Sequence, residues 1–150
     1  MKGFGAKTDG NAQAASVNDS FLMGDFRNLR VWKKARKLSV ATAEAVEQVR
    51  GGDSASILRR QLLRSTFSIQ SNIAEGSSKR SDKEFARYLC IALGSASESA
   101  NHVILMHDLG LLDDESFTSL DSKLDIVGKM LSGLEKRLRG DDGDAAGDLP

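Results

Sequence analysis

Arg30, Lys33, Lys34 and Lys37 recur at helical spacing, and Arg59, Arg60 and Arg64 do the same one segment later. Lys79 and Arg80, followed by Lys83 and Arg87, carry the charge through a loop into the next segment. Cations repeated on one face of a helix neutralise phosphates, and the resulting affinity falls steeply as salt rises. RNA, DNA or a ribonucleoprotein is the partner such a surface would take. The same spacing also suits a face that only meets water, so both readings stand at this point. Aromatic residues make up 5% of the chain and no stacking platform is visible, which argues against reading of base edges.

Other chemistries find less support. A metal site in a helical bundle needs paired Glu-x-x-His motifs on facing helices, whereas Glu98 and His102 are four apart and the only other histidine is His107. The single cysteine, Cys90, lies mid-helix in apolar company and reads as a small core residue; one cysteine also excludes an intrachain disulfide. The turn at Gly76–Ser78 lacks the lysine spacing of a phosphate-cradling loop. Asn72, Glu75, Ser95 and Glu98 are expected to form a polar cluster where two helices meet, as a structural network. The expectation is a non-enzymatic protein without a cofactor. An acid–base alternative would rest on Glu75 and Glu98 alone.

Four apolar periodicities must position these side chains. Val31, Ala35, Leu38, Thr42, Ala45 and Val49 form the first seam, over about residues 28–50, ended by Gly51-Gly52. Leu58, Leu62, Ile69 and Ile73 form the second, widened by Ile57, Leu63 and Phe67, with Asp53 or Ser54 as N-cap and Gly76 as its end. The third opens on Ser81-Asp82-Lys83-Glu84, a capping box, and continues through Phe85, Leu89, Ala92, Ala96, Ser99, Val103 and Met106. The fourth follows Asp113 or Asp114 through Phe117, Leu120, Leu124, Val127, Leu131, Leu134 and Leu138. Seams of this period on helices joined by short connections predict an all-α, antiparallel up-down-up-down four-helix bundle.

The third segment is apolar beyond its seam, at Tyr88, Ile91, Leu93, Ile104 and Leu105, and it carries small residues such as Gly94 and Ser95. A helix apolar on more than one face meets a second partner, so self-association is expected. Residues 1–25, rich in Gly, Ala, Ser, Asn and Asp, and the acidic 140–150 read as flexible tails flanking a domain over 26–139. The zero formal charge hides an imbalance, with fourteen Lys/Arg against seven Asp/Glu in residues 26–100. No stretch approaches the roughly 20 apolar residues of a membrane span and no secretory leader is visible, so a cytoplasmic protein is expected.

The run Ser71-Asn72-Ile73-Ala74-Glu75-Gly76, then Lys79-Arg80-Ser81-Asp82-Lys83-Glu84-Phe85 and Ile91-Ala92-Leu93-Gly94-Ser95, resembles the four-helix-bundle proteins encoded within intervening sequences of large-subunit ribosomal RNA genes. Leu29-Arg30-Val31-Trp32 and Leu109-Gly110-Leu111-Leu112 fit the same pattern, and the likeness spans about residues 26–139. It implies a four-helix bundle assembling as a ring, as a homopentamer. It also implies kinship with the accessory variability proteins of diversity-generating retroelements, which engage a reverse transcriptase and nucleic acid. Family members often carry proline before the Ser-Asn-Ile-Ala-Glu-Gly run, where this chain has Gln70. An oligomeric scaffold for another protein is the alternative function.

Overall fold

The computed structural model describes residues 25–140, and every regular element in them is helical. A short 3-10 turn, Phe26–Asn28, leads into α1 (Arg30–Glu47), α2 (Asp53–Ser77), α3 (Asp82–Asp108) and α4 (Asp114–Arg139). The stretches read as tails lie outside the described residues, apart from Asp25 and Gly140.

Local chemistry sets most of the boundaries. Ser81 caps α3 by accepting from the Glu84 N–H at 3.2 Å, while the Glu84 carboxylate accepts from the Ser81 hydroxyl at 3.4 Å. Asp113 caps α4 through the Ser116 N–H at 2.7 Å, and Asp114 and Glu115 follow in the first turn where the helix dipole favours them. Gly140 closes α4 in the left-handed region at φ 79°, a conformation costly for other residues. One boundary differs from expectation: neither Asp53 nor Ser54 caps α2. Gly52 holds that position without a side-chain bond, which leaves Asp53 inside the first turn.

α1 packs on α2 and α4, and α3 packs on the same two helices from the other side. The contacts Glu75/Tyr88, Ser68/Ser95 and Ser65/Ser99 step in opposite directions along α2 and α3. Cys90/Glu135 and His107/Asp114 do so along α3 and α4. Asn28–Val31 share a groove with Met130–Arg137, and Ala41–Gln48 share another with Glu115–Leu120, which gives α1 and α4 the same relation. The start of α1, the α2–α3 connection and the end of α4 therefore sit at one end of the molecule.

The core is built from the seams. Leu38, Leu62, Ile69, Ile73, Leu89, Met106, Leu120 and Leu131 are fully buried, each contributing about 1.5–3 kcal/mol of burial. The step of seven between Leu62 and Ile69 is filled by buried Ser65 and Thr66. Their hydroxyls meet Ser99, which accepts from Thr66 at 3.3 Å and donates to Ser65 at 2.8 Å. Buried hydroxyls are tolerated because they satisfy one another.

Two expectations about burial fail. Ile57 is 50% and Phe67 41% exposed, because they lie well round the helix from the Leu62–Ile69 seam and help to line the flank of α2 instead. Cys90 is exposed as well: it falls one step from buried Leu89, about 100° round the helix. Its Sγ lies 3.5 Å from Glu135 Oε1. Partial desolvation on its α4-facing side and the Glu135 carboxylate push the thiol above its ordinary value.

Candidate nucleic-acid interface

Helical spacing places Arg30, Lys33, Lys34 and Lys37 on one exposed arc of α1, opposite buried Val31, Ala35 and Leu38. Lys33, Lys34 and Lys37 make no salt bridge within the described residues. The arc holds an apolar stripe as well as charge. Trp32 packs edge-on against Phe26, with ring centroids 4.9 Å apart, and Arg36 lies 5.9 Å over the Trp32 ring. Val40, half exposed, continues the floor of a groove rimmed by Arg30, Lys33 and Lys37. At its mouth Asp25 accepts from Arg27 Nε at 2.7 Å, and that guanidinium, with a smaller pull from Lys33, holds the Asp25 carboxyl below the usual range.

The α2–α3 connection lies at the same end. Lys79 sits 5.0 Å over the Tyr88 ring and 3.7 Å from Glu75, and Arg87 also lies 5.0 Å over Tyr88. Tyr88 donates its hydroxyl to Glu75 at 3.0 Å, so one aromatic ring orders two cations. Arg80 and Lys83 are exposed beside them. The last turns of α4 add Lys136, Arg137 and Arg139, of which Arg139 pairs with Glu135 at 3.1 Å.

Arg59, Arg60 and Arg64 are not part of this cluster. They belong to the half of α2 near the α1–α2 connection, about 20 Å along the helix from the level of Lys33 at 1.5 Å per residue. Nor do they share a face. Arg59 is turned inward, its Nη1 donating to the Val49 carbonyl at 3.3 Å, whereas Arg60 and Arg64 are exposed.

Charge is segregated by end. In the half containing residues 25–38, 67–95 and 127–140 there are fourteen Lys/Arg and five Asp/Glu, a net +9. The other half of the described residues carries five Lys/Arg against ten Asp/Glu, a net −5. Arg36, Lys136, Arg137 and Arg139 were absent from the sequence-based set. The signal for the last three is the cationic final turn of α4, which also complements the helix dipole.

The motif residues have structural places. Gly76 is buried where α2 meets Tyr88 and Phe85. Asn72 donates to the Ser68 carbonyl at 2.8 Å and hydroxyl at 3.0 Å, and Ser68 meets Ser95 at 2.9 Å. Ser71 returns to the Phe67 carbonyl at 3.0 Å, and Gly94 is exposed with open space around it. The four-residue polar cluster expected there is only half formed. Glu98 lies 3.5 Å from His102, some ten residues along α3 from the Glu75/Tyr88 pair, or about 15 Å. No group of three or more metal-ligating side chains occurs among the described residues, and no helix in them is long and apolar enough to cross a membrane.

The model of the 23S rRNA-intervening sequence protein family matches residues 27–133, which takes in α1 to α3 and most of α4. The chain belongs to that family. One solved structure similar to this family member is a protein of unknown function from the S23 ribosomal protein family of Bacteroides thetaiotaomicron. The two share 24% identity at a TM-score of 0.66, over 71% of this chain and 98% of the other, a likeness of fold. No curated protein matches the chain.

Proposed function

We propose that this protein is a non-enzymatic, cytoplasmic, up-down-up-down four-helix bundle that assembles with copies of itself into a ring, as a pentamer, and binds RNA or DNA by its phosphates. The partner is a nucleic acid or a ribonucleoprotein, including a reverse-transcriptase-like protein with its RNA. The observation that carries the binding is the exposed arc of Arg30, Lys33, Lys34 and Lys37 at the end of the molecule where Lys79 and Arg80 also lie. Phosphate contact through lysines and arginines on a helix surface has no need of a deep pocket, and it makes affinity depend on salt. Arg60 and Arg64, exposed on the other half, are assigned to a second, weaker contact; Arg59, held on the Val49 carbonyl, takes no part in it.

Fluorescence anisotropy of labelled RNA and duplex DNA, titrated at several salt concentrations, tests this. Lys33→Glu with Lys37→Glu should weaken binding and reduce the slope of log affinity against log salt by about 2. An unchanged slope would remove the α1 arc as the interface and favour the scaffold reading, in which the partner is another protein.

Self-assembly is supported by Ile91, Ile104 and Leu105 on α3 and Leu109 at its C-cap, each at least 40% exposed, together with open Gly94. Leu105→Glu should convert the assembly into a lower-mass species in light scattering. A wild-type peak at the monomer mass of 16.2 kDa would refute the ring.

A further inference from the structure

The basic end of the bundle is also where the chain leaves it. Gly140 ends α4 beside the groove that Arg137 shares with Arg30. The residues that follow carry Asp141, Asp142, Asp144 and Asp148 and no Lys or Arg. We infer that the segment 141–150 docks on the cationic face of α1 and masks it against other polyanions, acting as an internal competitor.

Three features support the assignment. The first is complementarity: an acidic segment emerges from the half of the molecule with net charge +9, and not from the half with −5. The second is reach. From Gly140 to Asp148 the chain extends up to about 27 Å at 3.3–3.6 Å per residue, while neighbouring helix axes lie about 8–10 Å apart and Arg30 to Lys37 spans about 10 Å of helix. The segment covers the arc without moving any helix. The third is the unused capacity of the receiving face, where Lys33, Lys34 and Lys37 make no salt bridge within the described residues, Trp32 and Val40 give the groove an apolar lining, and Glu44 is its single carboxylate against six Lys/Arg. A tether this short holds the carboxylates at an effective concentration on the order of mM. A contact of only mM strength is then half populated, and it yields to a longer polyanion that releases more counterions.

The docking stands on charge and geometry alone, while the masking rests on the nucleic-acid reading above, so the two are measured separately. Trp32 is the only tryptophan and sits in the receiving face. In the full chain, Cys90→Ser with Leu149→Cys allows one acceptor dye to be placed on the segment. Energy transfer from Trp32 to the dye should be high at low salt, fall as salt is added, and be low throughout when the four aspartates become asparagine. Lys33→Glu with Lys37→Glu should lower it as well. Transfer equal in the aspartate and asparagine forms at every salt concentration overturns the docking. So does transfer that ignores the Lys33 and Lys37 changes, which would place the segment on the cations of its own helix. In anisotropy with labelled RNA, the asparagine form should bind several-fold more tightly at low salt and converge with the parent at high salt. Equal binding overturns the masking. High, aspartate-dependent transfer in a protein that binds no RNA supports the docking and removes only the nucleic-acid reading.

Discussion

Replacing Gly76 with alanine should destabilise the protein, although alanine is the better helix former. Within a helix, Gly→Ala ordinarily stabilises by about 0.5–1 kcal/mol through backbone entropy. At Gly76 the added Cβ would stand 2.7 Å from Tyr88 Cβ and 2.8 Å from Phe85 Cδ2. Tyr88 Cβ is fixed to the α3 backbone, so no rotamer change relieves the first contact; α2 and α3 must move apart by about 1 Å to restore van der Waals distance. Overpacking of this kind costs about 1–3 kcal/mol, and separation would also stretch the Tyr88 to Glu75 hydrogen bond at 3.0 Å. The expected net loss is about 1–2 kcal/mol. Urea unfolding at fixed protein concentration, followed by circular dichroism, should show it as a midpoint lower by about 1 M for a slope of 1–2 kcal/mol per molar. Gly133→Ala is the matched control, since a Cβ there meets nothing within 4 Å and the midpoint should rise. A Gly76→Ala midpoint at or above wild type would refute the close-packing argument.

Ser99→Ala should cost about 1–3 kcal/mol, because the buried Ser65 and Thr66 hydroxyls lose their shared partner; an unchanged urea midpoint would count against the ladder. Asp113 accepts the Ser116 N–H, which holds its carboxyl below the ordinary 3.8. A lowered folded-state value means that the cap stabilises the protein above the ordinary value and stops doing so as pH falls through the folded one. The melting temperature of Asp113→Ala should accordingly lie below wild type at neutral pH, and the gap should close under acid. A gap independent of pH would show that the carboxylate charge plays no part.

Much of the fold was legible because the seams repeat without a break. Phe117 through Leu138 predicts α4 almost residue for residue, and Ser81, Asp113 and Gly140 mark ends that the backbone respects. The errors share one cause. A seam states which way a helix faces but not how wide its buried arc is, so Ile57, Phe67 and Cys90 were drawn inward although they lie on its flanks. Arg59 escaped for the same reason, since only the packing of α2 beside the end of α1 brings it to the Val49 carbonyl. The candidate interface was half legible. The α1 arc is local and can be read from spacing, whereas residues 30–37, 79–87 and 136–139 gather only once the helices pair. The sequence-level contrast between a basic 26–100 and an acidic remainder followed the chain, and the folded molecule sorts its charge by end instead.

That sorting bears on encounter as well as on affinity. Residues 25–140, with net +9 in one half and −5 in the other, form an electric dipole that a polyanion turns before the surfaces touch, and the four aspartates of 141–150 reduce it without cancelling it. Collisions are thereby biased toward the productive orientation, and the gain is kinetic. It is confined to dilute electrolyte, because at 0.15 M ionic strength the field decays over about 8 Å. The same polarity makes two free copies attract head to tail in weak buffer, so solubility near neutral pH should improve as moderate salt is added.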